Sequence, residues 1–361
     1  MARTVLAMKP FRIDIPQADL DDLHTRLAMA RWPEQLPGER RGVPVSQLRE
    51  LAEYWRIGYD WRAHEARLNE FPQYITEIEG TDIHFLHVRS PKPDALPLIL
   101  THGWPNSFVE FVKVVDLLAA QGFHVVVPSI PGFGFSGAPR ETGWTAARVA
   151  RIWAELMRRL GYSRYGAQGG DFGAYVAPEL AIVAPDNVVG VYIISGLGFP
   201  AQDDVPKMSE EEKAAFEQMM TQDWITGVDH HALLRAAPQT FAYGWTDSPV
   251  GALAWMAQKF QDFGGLPSVD LLLTNLSVYW FAGTFGSSSW PYYESTKSAW
   301  PEGQKAVPTG VYSGPPGIRR LAERHNTIVH WPTANPAGHH FIAMDRPNDL
   351  AADMREFFDL L

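Results

Sequence analysis

The chain has 361 residues, more than one ordinary domain, and its 46% hydrophobic and 20% charged residues are a folded rather than a disordered composition. A formal net charge of −10 argues against nucleic acid or an anionic membrane as the main partner, because both carry charge of the same sign. The lack of any cysteine excludes disulfides, thiolate catalysis and Cys-ligated metal centres.

From the start, Met1 to Phe11 offers only a brief apolar run broken by Lys9 and Pro10. It reads as neither signal peptide nor membrane anchor, and a cytoplasmic location is expected. Apolar residues recur at helical spacing from Asp19 to Ala30 and from Val45 to Trp55, with Pro33, Pro37 and Gly38 marking the loop between. Gln73 to Glu79 and Ile83 to Arg89 alternate as half-buried strands. Then comes a β-α-β rhythm: strand Leu96 to Thr101, helix Phe108 to Ala119, strand Phe123 to Ser129, helix Thr145 to Leu160, strand Tyr165 to Gln168, helix Tyr175 to Ala184 and strand Val188 to Ser195. The rhythm stops at Gly196, gives way to helices and loops until about Ala299, and resumes with strands Ala306 to Tyr312 and Thr327 to Trp331, followed by a last helix from Pro347.

This order predicts an α/β fold with a mostly parallel sheet, helices on both faces, a helical cap insertion and an N-terminal helical extension. The expected units are the extension over 1–75, the first half of the core over 76–198, the cap over 199–300 and the second half of the core over 301–361. No repeat and no metal or nucleotide signature interrupts them, so no cofactor is expected.

Three segments carry chemistry. Gln168-Gly169-Gly170-Asp171-Phe172-Gly173 lies where a buried strand turns into a helix, the small-x-nucleophile-x-small pattern of the α/β-hydrolase elbow with aspartate in the nucleophile's place. By itself Gly-Gly-Asp suits a helix N-cap equally well. The second segment, His102-Gly103-Trp104-Pro105, follows the strand whose loop supplies one oxyanion-hole N–H in this fold, which makes Trp104 and Phe172 the expected donors. The third, Gly338-His339-His340-Phe341, puts a histidine in the required chain order, and chemistry alone leaves the two histidines open. A carboxylate that attacks a saturated carbon forms a stable alkyl ester, which a histidine-activated water then hydrolyses. Epoxides and haloalkanes both suit that route.

With these motifs in hand, the chain resembles the microsomal-type epoxide hydrolase family along nearly its whole length. The likeness rests on the segments starting at Arg12, Arg31, Leu51 and Tyr59, on H-G-W-P, Pro131 to Ser136, G-G-D-F-G, Asp247 to Gly251 and G-H-H-F. The resemblance implies a small-molecule epoxide and water as partners, Asp171 as nucleophile and His340 as the base, with His339 standing where the family has glycine. It implies Tyr292 as a proton donor to the epoxide oxygen, a one-residue slip from Tyr293, and His230 where a second donor tyrosine is usual. The family's relay acid would fall near Gly317, in a segment without a carboxylate; Asp203, Asp204 and Glu323 are the nearest acids by topology. The many cap aromatics, among them Trp245, Trp255 and Trp290, suggest a bulky apolar or aromatic substrate. Two other readings stand beside this one. A haloalkane dehalogenase normally has tryptophan where Phe172 follows the nucleophile, and a non-turnover binding protein would account for the missing acid. A homodimer is compatible with the sequence, which does not define the oligomeric state.

Overall fold

The computed structural model describes residues 8–37, 42–194, 197–198, 200–220, 227–265, 268–294, 305–312, 317–331 and 340–361. Its strands are β1 (Lys9–Phe11), β2 (Gln73–Ile78), β3 (Thr81–Val88), β4 (Leu96–Thr101), β5 (Phe123–Pro128), β6 (Tyr165–Gly170), β7 (Val188–Ile194), β8 (Lys305–Tyr312) and β9 (Asn326–His330). They form one nine-stranded sheet in the order β1-β2-β3-β5-β4-β6-β7-β8-β9. The first three strands and the β3–β5 pair are antiparallel, and every pairing from β5 to β9 is parallel.

The parallel strands read as unbroken apolar runs because helices cover both faces. Leu98, Ile99, Val125, Val126, Val127 and Ile193 are wholly buried, between helices such as Ala146–Arg159 on one side and Pro347–Asp359 on the other. The order reverses at β4, which lies between β5 and β6. The loops leaving β4 and β6 therefore meet at the sheet's carboxyl end, the place where open α/β sheets bind ligands.

The expected helix from Phe108 to Ala119 is in fact two pieces, a 3₁₀ turn Phe108–Phe111 and an α-helix Val115–Gln121. Ser107 accepts the Val109 N–H and starts the first piece tightly against the β4 loop. In the N-terminal part, helices Gln17–Ala28 and Val45–Glu53 pack on helix Pro249–Asp262 and helix Trp61–Leu68 packs on helix Val269–Ala282, which lies between β7 and β8 in the chain. Trp55 donates to Ser277 Oγ at 3.0 Å, and Tyr59 shares a hydrogen bond with Thr274 at 2.9 Å. Helices Glu210–Met220, His230–Ala236, Pro238–Asp247 and Pro249–Asp262 precede that one in the same excursion from the sheet.

Candidate active site

Strand β6 ends at Gly170, and Asp171 then has φ of 52°, a left-handed conformation that is strained for a residue with a Cβ. The turn is this tight because its flanks lack side chains. A Cβ on Gly169 would overlap the Gly173 carbonyl, and one on Gly173 would overlap the Thr101 carbonyl. The carboxylate is thereby turned toward the β4 loop. The Trp104 N–H donates to Asp171 Oδ1 at 3.0 Å and the Phe172 N–H at 2.7 Å. Gly103 permits this approach, since a Cβ there would sit 2.7 Å from Oδ1. The N-cap alternative fails: helix Gly173–Val183 begins after Phe172 with no side-chain cap.

The other oxygen, Asp171 Oδ2, faces His340 Nε2 at 3.6 Å. That exceeds a direct hydrogen bond and leaves the two groups side by side. Both side chains are mostly covered, at 16% and 23% exposure. The Phe263 ring stacks on His340 at 4.3 Å, and Phe341 is buried against Phe260 at 4.5 Å, which holds the backbone beside the histidine. His339 lies outside the described residues.

Tyr292 is buried with its ring edge-on to Trp104 at 5.4 Å. Burial, and then the nearby Asp171 charge, pushes its pKa well above the ordinary tyrosine value, so the phenol is protonated. Tyr293 is 48% exposed, which separates the two candidates of the one-residue slip. Trp104 anchors the arrangement by donating its indole N–H to Ser288 Oγ at 3.0 Å.

His230 is 2% exposed and stacks on Trp104 at 5.7 Å, with Tyr292 edge-on at 5.3 Å. It is no solvent-facing polar residue. Its backbone N–H donates to the Val228 carbonyl at 2.8 Å, and its ring Nε2 makes no hydrogen bond among the described residues. Burial first, then the neighbouring His231 and Lys259, lower its pKa to about 2. The ring is therefore neutral. A neutral imidazole carries one N–H, and the position expected for a second proton donor holds such a ring, buried beside Tyr292.

Of the acids considered for the relay, two are paired with arginines and one faces solvent. Asp204 accepts from Arg324 at 2.8 Å and Glu323 from Arg319 at 2.7 Å, while Asp203 is exposed. Residues 313–316 lie outside the described set. At Gly317 a Cβ would sit 2.7 Å from the Leu197 carbonyl and 2.9 Å from the Trp331 ring, so a side chain there would force both to shift.

Two groups escaped the sequence reading. Glu110 is 5% exposed, its carboxyl accepts the Gly103 N–H, and burial followed by the Asp171 charge raises its pKa to about 8. The signal was present, because Glu110 is the only charge between His102 and Lys113. The other is a buried ion pair, Lys259 with Asp262 at 2.5 Å. Lys259 Nζ donates to the Val228 carbonyl at 2.6 Å, which pins the segment that leads into His230. His102, by contrast, is structural: its Nε2 accepts the Ile130 N–H at 3.2 Å, and burial lowers its pKa to about 4. Among the described residues no cluster of acids and histidines is arranged to hold a metal ion.

The sheet order, the strained elbow and the paired backbone donors define an α/β-hydrolase. Residues 8–111 match the model described as "Epoxide hydrolase N terminus", and residues 97–227 match "alpha/beta hydrolase fold". A Stigmatella aurantiaca (strain DW4/3-1) protein provisionally named an epoxide hydrolase is 41% identical over 97% of this chain and 84% of its own. Epoxide hydrolase 1 of Oryctolagus cuniculus is 31% identical, over 98% of this chain and 89% of its own. The solved structure of Aspergillus niger epoxide hydrolase superposes with a TM-score of 0.86 at 31% identity, covering 99% of this chain and 97% of that one. The chain belongs to the epoxide hydrolase family and is a hydrolase of that kind. No described helix is long and apolar enough to cross a membrane.

Proposed function

We propose that the protein opens a bulky, apolar or aromatic epoxide to a vicinal diol through a covalent ester on Asp171, with the helices between β7 and β8 acting as a cap over the site. The observation that carries this reading is the split use of the two carboxylate oxygens: Oδ1 is held by two backbone N–H groups, and Oδ2 is left facing His340. In the first step Oδ2 attacks an epoxide carbon, the ring C–O bond breaks, and the Tyr292 phenol gives its proton to the departing oxygen. In the second, His340 Nε2 takes a proton from water as its oxygen adds to the ester carbon. The charge that develops falls on Oδ1, already between the Trp104 and Phe172 donors. As the ester C–O bond breaks, the leaving oxygen takes the proton held by His340 and the diol is released, and the carboxyl proton left on Asp171 returns to the Tyr292 phenolate. The rings of Trp104, Trp245, Trp255 and Phe285, with centroids 5.0 to 6.3 Å apart, supply the apolar wall.

The glycine at 317 favours a second reading, in which the ester forms and is hydrolysed slowly. One experiment separates them. Single turnover of styrene oxide in heavy-oxygen water is expected to place label in the Asp171 peptide, and Asp171→Asn is expected to lower kcat by at least about a thousandfold. An adduct that persists by intact mass supports slow hydrolysis. An unlabelled peptide together with an active Asp171→Asn variant overturns both readings.

A further inference from the structure

The two donors on Asp171 Oδ1 are placed by different means. Phe172 follows Asp171 in the chain, so its N–H is fixed by the elbow itself, whereas the Trp104 N–H comes from the loop after β4. Residues 102–107 of that loop belong to no strand or helix, so no backbone ladder sets their positions. Helix Val269–Ala282 does so instead. Asn275 Nδ2 donates to the Pro105 carbonyl at 2.8 Å, and its Oδ1 accepts the Ser107 hydroxyl at 2.6 Å. One turn further along the same face, Tyr279 donates to the Asn106 carbonyl. Asn275, Tyr279, Asn106 and Ser107 are wholly buried, out of reach of competing water. A carbonyl can only accept, so the atom facing Pro105 is the amide nitrogen, and the orientation of Asn275 follows from its partners.

A backbone carbonyl buried without its donor is costly, and the loop would shift to recover one. We propose that Asn275 is a positioning residue: by holding the Pro105 peptide it sets the distance from the Trp104 N–H to Asp171 Oδ1, and so the balance between the two steps of the reaction. This rests on the reading above that an Asp171 ester forms and is hydrolysed. The two steps use that N–H in opposite senses. Before attack it stabilises a carboxylate whose charge the attack consumes, so it favours the resting state over the ester. During hydrolysis, charge grows on Oδ1 from a neutral ester carbonyl, so it favours the transition state over the ester. A longer Trp104 contact therefore slows hydrolysis and leaves ester formation unchanged or faster. A role in stability alone moves both steps the same way, or neither.

The test follows single turnover of styrene oxide by intact mass, with the rates of ester formation and ester hydrolysis measured separately. Asn275→Leu, close in size, is expected to slow hydrolysis by about tenfold to a hundredfold without slowing ester formation, so that the ester accumulates. Tyr279→Phe removes one hydroxyl from the same helix face. It is expected to shift the ratio of the two rates in the same direction by less, which covers a failure of Asn275→Leu to fold. Folded variants that slow both steps alike, or leave their ratio unchanged, overturn the proposal. Amide hydrogen exchange reads the same contact without the reaction. In either variant the Trp104 amide is expected to lose protection, by about tenfold or more in Asn275→Leu, while the Phe172 amide keeps its own; equal changes at both overturn the proposal. An unaltered enzyme that forms no Asp171 ester, with Trp104 protection lost in the variants, would sink the proposed reaction and leave the positioning role standing. Ester formation with Trp104 protection unchanged would do the reverse.

Discussion

Glu110 shows how one side chain shapes a site without contacting the reaction. It leaves the 3₁₀ turn after the β4 loop and takes up the Gly103 N–H, one residue before the donor of Trp104. Its pKa is raised from 4.5 to about 8, chiefly by burial, so near neutrality it is largely protonated beside the Asp171 charge. A raised folded-state pKa gives stability that is complete below 4.5 and lost as pH rises through about 8. Glu110→Gln keeps an acceptor for Gly103 and cannot ionise. Its melting temperature should therefore gain on the unaltered enzyme between pH 5 and pH 8, and a constant difference across that range would count against the assignment. Asp171 and Glu110 are two carboxyls of one site, kept apart in function by their surroundings: one held by two N–H donors, the other buried in the loop's support.

At the scale of the element, the segment before helix His230–Ala236 depends on helix Pro249–Asp262. Lys259 is 1% exposed and Asp262 7%, and together they satisfy the Val228 carbonyl and N–H while Gln258 covers the second oxygen of Asp262 at 2.7 Å. Removing one partner strands the other charge in the interior. Lys259→Met is expected to cost about 3–5 kcal/mol in urea unfolding, and the double change Lys259→Met with Asp262→Leu to recover much of it. A cost below about 1 kcal/mol for the single change would show the pair to be hydrated. The β4 loop has an analogous brace: Asn275 donates to the Pro105 carbonyl at 2.8 Å and accepts from Ser107 at 2.6 Å, and Tyr279 donates to the Asn106 carbonyl. All three contacts come from helix Val269–Ala282, which Trp55 and Tyr59 hold through Ser277 and Thr274. The N-terminal helices thus support the oxyanion donors through one intermediate helix.

For the whole molecule, several histidines are buried neutral. Burial lowers His84 to about 3, His87 and His102 to about 4 and His230 to about 2, from an ordinary 6.5. A depressed folded-state pKa gives stability that is present above 6.5 and lost as pH falls toward the folded value. Between pH 4.5 and 6.5 these four groups outweigh the opposite slope of Glu110, and above 6.5 Glu110 acts without them. These buried groups together predict greatest stability near pH 6.5, with a fall in melting temperature toward pH 4.5 that is steeper than the fall toward pH 8. A melting temperature that climbs steadily as pH drops below 6 would contradict this.

Periodicity and turn chemistry were enough for most of the core. Leu96 to Thr101 and Val188 to Ile194 are apolar without alternation, and only strands covered on both faces tolerate that. The glycines around Asp171 announced the elbow because no side chain fits there. The break at residue 112 was hidden, since an apolar helix and a 3₁₀ turn followed by a helix share a spacing over one or two turns. Chain order alone also determined that a carboxylate, two backbone donors and a histidine would meet, because the reversal of strand order at β4 brings their loops to one end of the sheet. Tertiary packing decided the rest. It made Tyr292 the buried phenol and Tyr293 the exposed one, filled the space at Gly317, and buried His230 between Trp104 and Tyr292. Spacing along a chain records which residues repeat on one face, whereas which of two adjacent tyrosines is covered is set by the elements that pack over them.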